Sequence, residues 1–172
     1  MPAKPLCSGM RRSPTLLLAL FVAAFWLTTS ATAANLYSVG SRFEPFSTKD
    51  QHEQPYTFQP GETRLIVVSF DMTSGKKANA WLAKQPAAFL SSRQALLINN
   101  IYGMPGIGRM FALPKMKKYP HRILLADADG FLDRYPAVDN KLTILRLDAA
   151  GLITAIDHVD PAKDLSAVFD RK

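Results

Sequence analysis

The sequence predicts an α/β fold, a mixed β-sheet of about five strands with helices on both faces. Three observations carry it. Short apolar, β-branched runs at 65–70, 95–98 and 121–126 alternate with stretches of helical periodicity, and strand–helix–strand order implies right-handed parallel crossovers. Residues 141–148 then alternate with period two. Leu142, Ile144 and Arg146 fall on one side and Thr143, Leu145 and Leu147 on the other,. Finally, Ala149-Ala-Gly151 turns the chain into 152–156, so a terminal hairpin adds antiparallel strands to one edge.

Leu65-Ile-Val-Val-Ser-Phe70 reads as a strand buried on both faces,. A helix is expected from Thr73 or Ser74, either acting as its cap, to about Lys84. Gly75 weakens its first turn, and Ala78, Trp81 and Leu82 form its apolar side,. Pro86 suits the first turn of a short second helix over 87–92. Residues 101–108 form a glycine-rich loop that leads to a helix over 109–119, which Pro114 is expected to break or kink,. Asp160-Pro161 starts a last helix over 162–169,. Residues 35–54 read as polar and irregular, with Phe43 and Phe46 as anchors, and 54–58 as a short edge strand. This order is the thioredoxin-like plan.

Lys4, Arg11 and Arg12 precede a 13-residue apolar run at 15–27 and the small-residue stretch Ser30-Ala-Thr-Ala33. The run is short of the about 20 residues of a membrane span. The pattern is that of a Sec-type secretory signal peptide cut after Ala33 or Ala34. The expected organisation is a cleaved signal at 1–33, an N-terminal lead-in at 34–60 and a thioredoxin-like domain at 61–172. Export to a bacterial periplasm, with no membrane span after cleavage, is the simplest context. Loss of the three basic residues takes the formal charge from +7 to +4, which calls for no nucleic-acid partner. Cys7, the only cysteine, leaves with the signal. The mature chain then has no disulfide, no thiol nucleophile and no sulfur ligand for a metal.

The loop after a central strand is where sites gather in such sheets. Here it reads Asp71-Met-Thr-Ser-Gly-Lys-Lys77. Threonine and serine cannot replace the attacking and resolving thiols of a dithiol enzyme. The loop reads first as a helix cap, and the alternative is recognition of an anion by Thr73, Ser74, Lys76 and Lys77 through free N–H groups and the two lysines. Gly103-Met-Pro-Gly-Ile-Gly108 has the wrong spacing for a dinucleotide fingerprint,. Its neighbours Tyr102, Met104, Ile107, Arg109 and Met110 offer a recognition surface instead. Asp127-Ala-Asp-Gly130, with Asp133, does not complete a calcium loop,. His52, His121 and His158 form no triad or metal spacing. Lys115, Lys117 and Lys118 read as a solvated helix end. No catalytic residue, metal or cofactor is expected.

Gly106-Ile-Gly-Arg-Met-Phe111, Lys117-Lys-Tyr-Pro120, Ile123-Leu-Leu-Ala-Asp-Ala-Asp-Gly130 and Leu142-Thr-Ile-Leu-Arg-Leu-Asp-Ala-Ala-Gly151 resemble the YtfJ-type thioredoxin-like proteins of the bacterial periplasm over about residues 36–170. The resemblance implies the fold of the wider thioredoxin and peroxiredoxin group. That group's cysteine motif would fall within 72–77 and is absent. Its cis-proline would fall near Lys141-Leu142, and Pro136 lies several residues earlier. Disulfide exchange and peroxide reduction are therefore not expected. The reading is a periplasmic binding or accessory module for an envelope protein or peptide, contacting it through 71–77, 101–109 and 136–141. The alternative is an oxidoreductase-like enzyme or cofactor binder, a flavin protein among them, using Lys76, Tyr102, Arg109 or His158.

Overall fold

The computed structural model describes residues 35–170, so the expected signal peptide and Cys7 lie outside the described residues. Among the described residues, seven strands form one sheet: β1 (Ser47–Asp50), β2 (Pro55–Thr57), β3 (Leu65–Ser69), β4 (Ala95–Asn100), β5 (Leu124–Ala126), β6 (Leu142–Leu147) and β7 (Ile153–Val159), in the spatial order β2-β1-β5-β4-β3-β6-β7. β3, β4 and β5 run parallel, with Val67 opposite Leu97 and Asn99 opposite Leu125. β6 and β7 extend the sheet antiparallel on one side, with Val67 opposite Ile144 and Thr143 opposite His158.

The helices are α1 (Met72–Leu82), α2 (Phe89–Ser92), α3 (Gly106–Met116) and α4 (Leu165–Asp170). The mixed sheet flanked by helices, its parallel centre and its terminal hairpin are as the sequence implies. Period two divides β3 cleanly. Leu65 and Val67 join one core cluster and Ile66 and Val68 the other, all buried. β6 splits the same way, Leu142 and Ile144 against Leu145 and Leu147.

The expectation for the first stretch needs correction. Residues 35–54 are not irregular throughout, because β1 pairs with both β2 and β5 and brings the sheet to seven strands. Its sequence, Ser-Thr-Lys-Asp, lacks a strand's apolar alternation. It is held by backbone pairing and by Asp50, whose carboxylate accepts from the His52 and Gln54 N–H groups at the hairpin tip. Gln51 adds a clamp, donating to the His121 carbonyl and accepting from Ile123 N–H, both at 2.8 Å.

The sequence predicts helices on both faces, but the buried apolar residues of all four described helices enter the first cluster, on one face of the sheet. The second sheet face is closed by aromatics: Tyr37, Phe43, Phe58 and Tyr135 are buried there, with Phe46 and Phe131 against them. The 128–135 cover is a run of turns with i to i+3 hydrogen bonds rather than a helix. Pro114 does not break α3, which continues to Met116. The proline is exposed near the helix C-terminal end, where losing one N–H donor costs little core structure. The helix also begins three residues before its expected start, so Gly106 and Gly108 are helical rather than loop. No helix among the described residues is long and apolar enough to cross a membrane.

Candidate functional site

The strand ends of β3 and β4 and the start of α1 meet at Asp71. The helix cap is Asp71 itself, not Thr73 or Ser74. Its backbone is extended, and one carboxylate oxygen accepts from the N–H groups of Thr73 and Ser74, each at 2.8 Å. The other accepts from the Ser74 hydroxyl at 2.6 Å. The expected cap falls two or three residues late because threonine and serine are cap formers too,. Here Ser74 is buried in the first turn and serves Asp71. Burial pushes the Asp71 carboxyl up, but the bonds from Ser74 and Thr73 outweigh it and hold its pKa below the usual carboxylate range. The consequence is chemical. The helix N-terminus, which would steady a thiolate, is occupied by this chain's own carboxylate.

Gly75 is explained by contact rather than by flexibility. A Cβ there would stand 3.0 Å from Ser69 Oγ. The missing side chain lets the first turn of α1 sit directly on the end of β3. Beneath it runs a buried polar chain. Ser69 Oγ donates to Asn99 Oδ1 at 2.9 Å. Asn79 Nδ2 donates to the Gly75 carbonyl at 2.8 Å, and Asn79 Oδ1 lies 2.9 Å from His121 Nε2. Because the Asn79 oxygen must accept, His121 carries its proton on Nε2. His121 Nδ1 is then a bare acceptor, buried and without a partner among the described residues. Burial lowers the His121 pKa to about 4.

Above this floor an open cleft separates α1 from α3, about 540 Å³ of empty space including its mouth. Met72, Gly75 and Lys76 line one wall, Met104, Ala112 and Lys115 the other, with Ser69, Asn79 and Asn99 at the base. A second opening on the far side of Asp71 is bounded by Phe70 and residues 137–140.

The structure thus brings Lys76 and Met104 together at the cleft. Thr73 and Lys77 stand exposed on α1 outside its lining, and Ser74 is spent on the cap. Tyr102 is exposed, and the Asp129 carboxylate beside it raises its pKa. Arg109 pairs with Asp127 and donates to the Ile101 carbonyl at 3.0 Å. Asp127 therefore serves an ion pair, and the described residues contain no group of three metal-ligating side chains. His158 sits on β7 with Nδ1 3.1 Å from Thr143 Oγ1, and Thr143 in turn donates to the Pro136 carbonyl. Neither His158, Tyr102 nor Arg109 lines the cleft. No peptide bond among the described residues is cis, so Pro136 does not stand in for a cis-proline.

The residues that sequence reading missed are Ser69, Asn79, Asn99 and His121. A signal was present. Two strands that are otherwise apolar, β3 and β4, both end in polar residues, Ser69 and Asn99-Asn100. Polar groups at the ends of adjacent buried strands mark a place where the core opens.

This is a thioredoxin/peroxiredoxin-like fold lacking a cysteine pair, with an aspartate at the head of its first helix. Solved structures share that fold. The chain matches the thioredoxin domain of a thiol-disulfide oxidoreductase from Bacteroides vulgatus with a TM-score of 0.52 at 18% identity, covering 78% of this chain and 99% of that one. A putative protein disulfide isomerase from Bacteroides thetaiotaomicron gives 0.53 at 11% identity over 80% and 89%. Peroxidoxin BcpB from Mycobacterium tuberculosis gives 0.50 at 10% identity over 76% and 93%. No family model and no characterised protein matches the sequence significantly.

Proposed function

We propose that this chain is a binding module of the bacterial periplasm, related to the YtfJ-type thioredoxin-like proteins, which holds an envelope protein or peptide. The observation that carries the reading is an apolar surface that the fold leaves uncovered beside the cleft. Ile107, Met110 and Phe111 on α3 are 71%, 63% and 62% exposed, with Tyr102 and Met72 at 50% and 49%. The first three recur at i, i+3 and i+4, so they share one helix face. Several large exposed apolar side chains close together mark an interaction surface rather than ordinary surface scatter. Two features support binding over catalysis. The mature chain has no thiol, and the helix N-terminus already holds Asp71.

The test is capture of crosslinked partners from the periplasm with the native chain and with a Met110→Ser, Phe111→Ser double substitution. Both side chains are exposed, so the double variant should fold normally. A discrete partner is expected with the native chain and at least about tenfold less with the variant, the loss of 1.4 kcal/mol or more. Equal recovery by both would overturn the reading.

A further inference from the structure

We propose that the cleft between α1 and α3 receives the C-terminal residue of a peptide, with the carboxylate on the Asn99 amide and the apolar side chain against Met72 and Met104. The inference rests on the binding-module reading and adds a chemistry to it.

The polar half comes from Asn99. This side chain is only 6% exposed, and its oxygen accepts from Ser69. Its Nδ2 has no hydrogen-bond partner among the described residues and faces the cleft beside Gly75, where an added Cβ would stand 3.8 Å away. The donor opens on the cleft from a side chain whose oxygen is held by Ser69, so it is aimed at an oxygen bound there,.

Charge selects an anion. Lys76 and Lys115 line opposite walls, and neither is in an ion pair with a described residue. Asp71 is the one acid in the lining, and its carboxylate already accepts from Thr73 and Ser74.

The apolar half is supplied by methionines. Met72 is exposed and Met104 half-buried, and thioethers adapt to side chains of varied shape,. Their position also favours a peptide. Met72 belongs to the same uncovered apolar surface as Ile107, Met110 and Phe111, so a chain lying on that surface can set its last residue in the cleft, its carboxylate on Asn99 and its side chain against the methionines.

The experiment is an NMR titration of the protein made from the full chain, following the Asn99 side-chain amide and, in every variant, the Gly75 backbone amide in the same cleft. The probes are acetyl-Gly-Gly-Ser-Gly-Leu as the free acid, the same peptide as its C-terminal amide, and octanoate. The free acid should shift the Asn99 amide saturably. Binding should weaken about tenfold for the amidated peptide, for the Lys76→Gln, Lys115→Gln pair and for Asn99→Asp. Asn99→Asp keeps an acceptor for Ser69, removes the donor and adds a negative charge; the last two act against a bound carboxylate,. Should that variant fail to fold, Ala112→Phe fills the cleft from a half-buried position on α3, and it should abolish the shift.

Equal binding of acid and amide, tighter binding of octanoate at the same residues, unchanged binding by Ala112→Phe, or no saturation in the millimolar range would each overturn the proposal. If the titration fails while partner capture through Met110 and Phe111 persists, the cleft assignment alone falls. If both fail, the module reading falls with it.

Discussion

Phe43→Ala is expected to lower the unfolding free energy by about 3–5 kcal/mol, the range for truncating a fully buried phenylalanine. The side chain is buried and its ring meets four others: Tyr37, Phe46, Phe58 and Tyr135 at centroid distances of 4.9 to 6.1 Å. The loss has two parts, the apolar area returned to water and a cavity that its neighbours cannot close. The neighbours come from separate parts of the chain. Tyr37 and Phe46 precede β1, Phe58 follows β2, and Tyr135 lies in the turns before β6. No single backbone shift can draw all of them inward. A mere lead-in strap would lose far less, and the segment's strand pairing argues against that role. Urea denaturation checks the value, and a loss below about 1 kcal/mol would show that residues 35–60 pack loosely on a core that stands without them.

Acid should weaken the fold well before carboxylates titrate. Burial holds the folded-state pKa of His121 at about 4, below the ordinary histidine value of 6.5. As pH falls from 6.5 to 4 the unfolded chain takes up the proton and the folded one does not. The sign is fixed by that difference: stability is full above pH 6.5 and declines as pH falls toward 4. The slope stays below about 1.4 kcal/mol per pH unit, and with partial screening by solvent the whole effect is on the order of 2 kcal/mol. Protonation would place a second N–H at Nδ1, which has no acceptor in reach.

Asp71, whose folded pKa is depressed, adds a loss of the same sign only as pH drops through the carboxylate range. The window from about 4.5 to 6.5 therefore isolates the histidine. His121→Gln retains an N–H donor for Asn79 and cannot titrate, so denaturation midpoints should lose their slope in that window. An unchanged slope would assign the acid sensitivity to other groups.

The parallel centre of the sheet was legible because β3, β4 and β5 lie inside it and must be apolar. The terminal hairpin was legible because β6 alternates and Gly151 takes a φ of +77°, suited to a tight turn. β1 was not legible, since Ser47-Thr-Lys-Asp50 gains its place from pairing and from Asp50 and Gln51 side-chain bonds that link distant positions. The position of the site could be read from the end of Leu65–Ser69. Its content could not. Asn79 and His121, 42 residues apart, are joined by a side-chain hydrogen bond that only the folded chain makes, and Asn99 lines the same cleft as Asn79. Gly75, which reads as a weak helix residue, becomes intelligible only when Ser69 is seen beneath it.

Binding of an envelope partner to the uncovered α3 face, as proposed, is tested most directly by a photo-crosslinking phenylalanine at Phe111 in the full chain, expressed in bacterial cells, with the same group at exposed Thr154 on β7 as the control. A discrete adduct from position 111, absent from position 154, is the predicted result. No adduct from position 111, or the same adducts from both positions, would contradict the account.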